Sequence, residues 1–285
     1  FARLYSILLF KKHYLPELTL QEGYYVSFWQ FLKLVPSTNF GRLSLYMGLL
    51  HLASMVSSPF VAVYLLEYLE FSYVWFTVII ISQSVFVLLF LNFFGKVSDR
   101  YGNRLIIYIC GFAIIFVPIL WMLSTSKLYL LFVPAIVGGF AWGGLNLASA
   151  NFIYDSVTQE HRGLASTYYS IFIGLGMFVG PLIGGAIIKF ANISFMNIFL
   201  FVFLVSGILR FLFAISILPH IKEVRKVKRP PILIKELNML QNFENTFIGF
   251  SKSFTERIHL PDTHSKKLER ASRAFVRMSI WKVYS

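Results

Sequence analysis

Apolar positions in this chain gather into six long runs: Leu43 to Leu66, Tyr73 to Phe94, Leu105 to Leu123, Leu128 to Ile153, Leu164 to Ile188 and Phe195 to Leu218. At 1.5 Å per helical residue, each is about long enough to cross a hydrocarbon core of roughly 30 Å. No Asp or Glu interrupts any of them. Inside lipid every backbone N–H and C=O must be satisfied within the segment, so the runs predict helices and not open strands. Pro59, Pro118, Pro134 and Pro181 lie within the runs, where membrane helices tolerate them. The pattern predicts an all-α integral membrane protein with a six-helix bundle over 42–219. Residues 1–41 read as the end of a preceding helix (1–12) followed by a connecting loop, in which Trp29, Phe31 and Leu34 mark an amphipathic segment at the interface. Residues 220–285 read as a tail. The first residue is Phe1 and not Met, so the chain is expected to be a fragment.

Composition supports this picture. Of 285 residues, 57% are hydrophobic and 14% are charged, against roughly 25% charged in a soluble domain. The net charge of +13 would suggest nucleic acid in a soluble protein. Here the basic residues cluster outside the apolar runs, so they set topology and no nucleic-acid partner is expected. One side collects Lys33, Arg42, Lys96, Arg100, Arg104, Arg162 and Arg210 with the basic tail; the other holds Glu67, Glu70, Lys127 and Lys189. The first side is expected to be cytoplasmic, with both chain ends there, in a cell or plasma membrane. Lys222, Arg225, Lys226, Lys228 and Arg229 open the tail. Such a cluster draws anionic headgroups at about 1 kcal/mol per basic residue. Beyond it, Leu237, Leu240, Phe243, Phe247, Phe250 and Phe254 recur at helical spacing, as in an amphipathic surface segment. Cys110 is the one cysteine, which leaves no disulfide within the chain and no cysteine-based metal cluster.

Three motifs carry a resemblance. Gly95-Lys-Val-Ser-Asp99-Arg100-Tyr-Gly102-Asn103-Arg104 resembles the cytoplasmic signature loop of major facilitator superfamily transporters, Gly-x-x-x-Asp-Arg-x-Gly-Arg-Arg/Lys. Gly95, Asp99, Arg100, Gly102 and Arg104 match; Asn103 departs from the usual basic residue. Chemically, Gly95 permits close helix approach and Gly102 a turn with positive φ. Asp99 can pair with Arg100 or Arg104, or face a helix N-terminus. Asp155-Ser-Val-Thr-Gln-Glu160-His-Arg162-Gly163 resembles the family's Glu-x-x-Arg-Gly loop, shortened by one, with Asp155 and Glu160 in reach of Arg162 or Arg104. Gly176-Met-Phe-Val-Gly180-Pro181-Leu-Ile-Gly184-Gly185 resembles an antiporter signature, although small residues four apart also serve plain helix packing. The resemblance implies a six-helix half of the transporter fold, helices seven to twelve, built as two inverted three-helix repeats. The implied gate is Gly95, Asp99, Arg100, Gly102, Arg104, Glu160 and Arg162. An N-terminal six-helix half, not contained in this chain, would be its partner.

Polar groups at membrane depth are functional candidates. His51, Gln83, Trp142 and Asn146 are the candidate contacts for a small-molecule substrate, and His51, read as the titratable group near the midplane, is the candidate for proton coupling. There is no phosphate-cradling Gly-rich loop ending in Lys-Ser/Thr and no catalytic or metal-ligating cluster. No enzyme activity, cofactor or metal is expected. The function expected is secondary transport by alternating access. The competing readings are a six-helix protein acting as a homodimer and a non-transporting receptor or scaffold that keeps the fold.

Overall fold

The computed structural model describes residues 28–191, 193 and 196–225. The stretch 1–12 and the amphipathic tail segment lie outside the described residues. Among the described residues eight α-helices follow in order: α1 (Phe28–Leu34), α2 (Asn39–Ser57), α3 (Phe60–Val63), α4 (Tyr73–Tyr101), α5 (Asn103–Met122), α6 (Lys127–Ser156), α7 (Arg162–Phe190) and α8 (Ile198–Ile217). Pro59 breaks the first span between α2 and α3, and a π-helical turn at Tyr64–Tyr68 completes it. Counted with these extensions, six segments are long and apolar enough to cross a membrane, matching the six runs. The protein is an integral, multi-pass membrane protein.

Helix ends follow local chemistry. Thr38 caps α2, its hydroxyl accepting from Gly41 N–H, and Asn197 caps α8 by accepting from Phe199 N–H; each satisfies a donor that the helix leaves orphaned. The amphipathic segment is the short helix α1. It turns Phe31 inward to stack on Tyr168 at 4.7 Å and leaves Trp29 exposed.

The signature segment is not a loop. α4 runs through Gly95 to Tyr101, α5 begins at Asn103, and Gly102 alone turns the chain at φ 85°, ψ 171°. That conformation is essentially restricted to glycine. The Arg-Gly segment is compressed in the same way: α6 reaches Ser156, a 3-10 turn spans Gln159–His161, and Arg162 opens α7.

Packing is interleaved. α2 packs on α7 and α8, α6 packs on α4 and α5, and α5 packs on α8. Exchanging α2, α4 and α5 for α6, α7 and α8 leaves this set unchanged. The two three-helix units are therefore equivalent and threaded through each other, as an inverted repeat requires. The core lies where α2, α5, α6 and α8 meet, around Leu43, Tyr46, Met47, Ile107, Ile114, Leu145 and Phe203. α4 and α7 are peripheral: 6% of the apolar window of α4 is buried, against 61% for α5.

Candidate functional site

Two sets of side chains stand out, one at an end of the bundle and one at mid-depth. At the end, the geometry corrects the expected ion pairs. Asp99 meets Arg225 of the tail, with Nη1 to Oδ1 at 3.8 Å, and not Arg100 or Arg104. Arg225 Nε also lies 4.0 Å from Asp155 Oδ2. Arg100 covers the ring of its neighbour Tyr101, and Arg104 covers Tyr108. Arg162, expected opposite Asp155 or Glu160, donates to Tyr154 O at 3.3 Å. Gly95 serves no close approach inside this bundle: a Cβ there would meet nothing within 4 Å.

Asn103 explains part of this rearrangement. It is fully buried. Its Oδ1 accepts from Ser98 Oγ at 2.6 Å, and its Nδ2 donates to Asp155 Oδ2 at 3.0 Å. Asn151 Nδ2 adds a donation to Ser98 Oγ at 3.3 Å. The amide thus supplies hydrogen bonds where the signature carries a charge, and the positive charge beside Asp155 comes from Arg225. Glu223 has a parallel role. Gly102 precedes α5 without a side chain to cap it, and Glu223 Oε2 accepts from Arg104 N–H at 2.8 Å. A carboxylate is favoured at that positive helix end. The anion expected there was Asp99; it is Glu223. The stretch before it is tied to α2, with Arg42 Nη1 donating to His220 O at 2.9 Å. Residues 220–225 therefore bridge the start of α2, the start of α5 and the end of α6. The ion pairs themselves are long, and Asp99 is 81% exposed, so each contributes only about 0–1 kcal/mol.

At mid-depth, His51 and Trp142 come together, ring centroids 5.0 Å apart. His51 Nδ1 lies 2.8 Å from Met47 O. A carbonyl only accepts, so Nδ1 carries the proton and Nε2 is the position left to take one. Gly138, Trp142 and Asn146 recur every fourth residue and share one face of α6. Gln83 reaches that face one turn from Trp142, its amide beside Gly138. Asn146 is exposed. The four candidates thus string along one face of α6 and the parts of α2 and α4 beside it, His51 from α2 and Gln83 from α4, with His51–Trp142 as the direct contact. A hollow of about 420 Å³ lies elsewhere, on α7 at Ser166, Thr167, Ser170 and Ile171.

His51 is not the only ionisable side chain at this depth. Arg210, expected with the cytoplasmic charges, sits near the middle of the sixth span, Ile198–His220, and is 4% exposed. Its Nη1 donates to Ile114 O at 2.9 Å. That carbonyl is the one that Pro118, four residues on and lacking an N–H, leaves without a helical donor. The sequence signal was available in the four-residue step from Ile114 to Pro118, but nothing in the sequence named the donor.

A sequence model of the family described as Major Facilitator Superfamily matches residues 42–280. Shorter segments resemble individual proteins. One is 35% identical over 108 residues to a probable peptide/nitrate transporter of Arabidopsis thaliana, covering 38% of this chain and 22% of that protein. Another is 30% identical over 92 residues to a low-affinity glucose transporter of Saccharomyces cerevisiae, covering 30% and 15%. A third is 27% identical over 112 residues to the class B tetracycline resistance protein of Escherichia coli, covering 39% and 27%. The matched segments span less than a third of these relatives.

Proposed function

The chain belongs to the major facilitator superfamily, and from that premise we propose that it is the C-terminal half of a secondary transporter that moves a small molecule by alternating access. The observation that carries the reading is the pairing of His51 with Trp142 at mid-depth on α2 and α6, the helices that exchange places in the internal two-fold. Rocking of this half against the N-terminal half alternates which end opens, while a site near mid-depth at their interface stays in place. His51, Trp142, Asn146 and Gln83 supply an imidazole, an aromatic face and two amides to a substrate. His51 Nε2 would carry the coupled proton. The end bearing Asp99, Asp155, Asn103 and Arg225 faces the cytoplasm by its excess of basic side chains and holds that gate closed in one conformation. No step makes or breaks a covalent bond, so the activity is transport and not catalysis.

The matched relatives are named for peptide or nitrate, glucose and tetracycline. Such unlike chemistries point to shared scaffolding in the matched segments, with substrate choice left to a few side chains on α2, α4 and α6. The test is gradient-driven flux in proteoliposomes holding the full-length protein, with a hexose, nitrate, a dipeptide and tetracycline as probes. A flux that needs the proton gradient, and loses that need in His51→Gln, supports the reading. A gradient-driven flux indifferent to His51→Gln removes the histidine from coupling. Absence of flux for every probe, with the protein folded and inserted, contradicts transport.

A further inference from the structure

Glu223 and Arg225 lie beyond the last helix, yet they complete the charged end of the bundle. Glu223 caps α5 at Arg104 N–H, and Arg225 stands between Asp99 and Asp155. Arg225 supplies the charge that Asn103 lacks. The side chain is therefore needed at the gate, but it is carried on a segment that a membrane surface also attracts. Lys222 precedes it by three residues, and Lys226, Lys228 and Arg229 follow within four. Ile221 is fully buried, so the segment is anchored to the bundle just before the basic cluster. The exposed carboxylate of Asp99 and the partly buried one of Asp155 hold Arg225 through contacts at the long limit of an ion pair. Five closely spaced cations favour an anionic leaflet more strongly than two such contacts can resist.

We propose that Glu223–Arg225 is a clasp on this end of the bundle, and that anionic phospholipid headgroups compete with Asp99 and Asp155 for Arg225. In a neutral leaflet the clasp stays closed and ties α2, α5 and α6 together. In an anionic leaflet Arg225 leaves with the rest of the basic cluster, and α4, α5 and α6 are held at this end by the Ser98–Asn103–Asp155 hydrogen bonds, with no cation beside Asp155. Lipid charge thereby sets how readily this end opens. Only this last consequence rests on the transport reading; the clasp and its competitor do not.

The test is a distance between spin labels at Lys96→Cys and Val224→Cys, in the full chain with Cys110→Ala. It is read in vesicles of phosphatidylcholine alone and of equal parts phosphatidylcholine and phosphatidylserine. No substrate or gradient is needed, so a failed transport assay and a failed clasp are distinguishable. The expected result is one short distance in the neutral vesicles and a longer one for most molecules in the anionic vesicles. Arg225→Gln, added to the labelled chain, should give the longer distance in both. Replacing Lys222, Lys226, Lys228 and Arg229 together by Gln should keep the short distance in both. Identical distributions of the parent chain in the two lipids overturn the competition. A short distance in Arg225→Gln overturns the clasp. A shift in neutral vesicles produced by inorganic phosphate at matched ionic strength, as large as that from phosphatidylserine, overturns the assignment to a lipid surface.

Discussion

Ile114 has a carbonyl that its own helix cannot satisfy, because Pro118 offers no N–H, and Arg210 Nη1 reaches it from α8 at 2.9 Å. A buried backbone acceptor left unmade costs about 1–3 kcal/mol, and a buried guanidinium is itself costly unless well bonded. The two requirements meet in one contact. This predicts coupling between the two positions. Arg210→Met should be worse tolerated with Pro118 present than in a Pro118→Ala background, where the residue 118 N–H can close the helical bond. A double-mutant cycle read by unfolding in detergent should give a coupling of about 1 kcal/mol; strict additivity would remove the account. A second residue-scale prediction concerns Gly102. Its φ of 85° and the Glu223 carboxylate against it make Gly102→Ala costly, by about 1–3 kcal/mol from the backbone alone, seen as a lower Tm. The positive φ at Gly102 was legible, because a signature glycine between two helices needs it. Arg210 was not. It falls within the apolar run Phe195 to Leu218, but it groups by charge with the basic tail, and only packing shows its depth and its partner, Ile114 O.

At the scale of elements, the small-residue stripe of α7 decides how two helices cross. A Cβ at Gly176, Gly180 or Gly184 would run into Gly48 O, Leu52 O or Val56 O of α2, a matching step of four on each helix. Gly174, on the opposite face, would meet nothing within 4 Å. Gly180→Val should therefore force α2 and α7 apart and cost about 1–3 kcal/mol by overpacking. Gly174→Ala should change stability by less than about 0.5 kcal/mol. Thermal unfolding of the two variants in one detergent checks the contrast, and equal losses would mean that the stripe does not set the crossing. The stripe was legible as packing chemistry, but its partner helix was not, since the sequence says nothing of which run lies beside which. Helix existence was legible from the apolar runs. Helix ends were less so: α4 continues past Phe94 through polar Ser98, Asp99 and Arg100, because Ser98 is buried with its hydroxyl bonded to Asn103 and water solvates the exposed Asp99 and Arg100.

For the whole molecule, the interleaved packing joins the two three-helix units into one bundle and leaves α4 and α7 with long apolar faces outward. The six spans and the excess of basic residues at one end could be read from the chain. The threading could not, because it depends on contacts between segments far apart in sequence. The same holds for the clasp: Asp99 stands out in the sequence as a charged residue of the motif, but its partner Arg225 lies 126 residues further along and outside the motif. The central claim is that the face carrying His51, Trp142 and Asn146 opens to each side of the membrane in turn. The most direct measurement is labelling of Asn146→Cys, in the full-length protein with Cys110→Ala, by a membrane-impermeant thiol reagent in right-side-out and inside-out vesicles. The account predicts labelling from both sides, with a transported substrate slowing it. Labelling from one side only, or from neither, would contradict it.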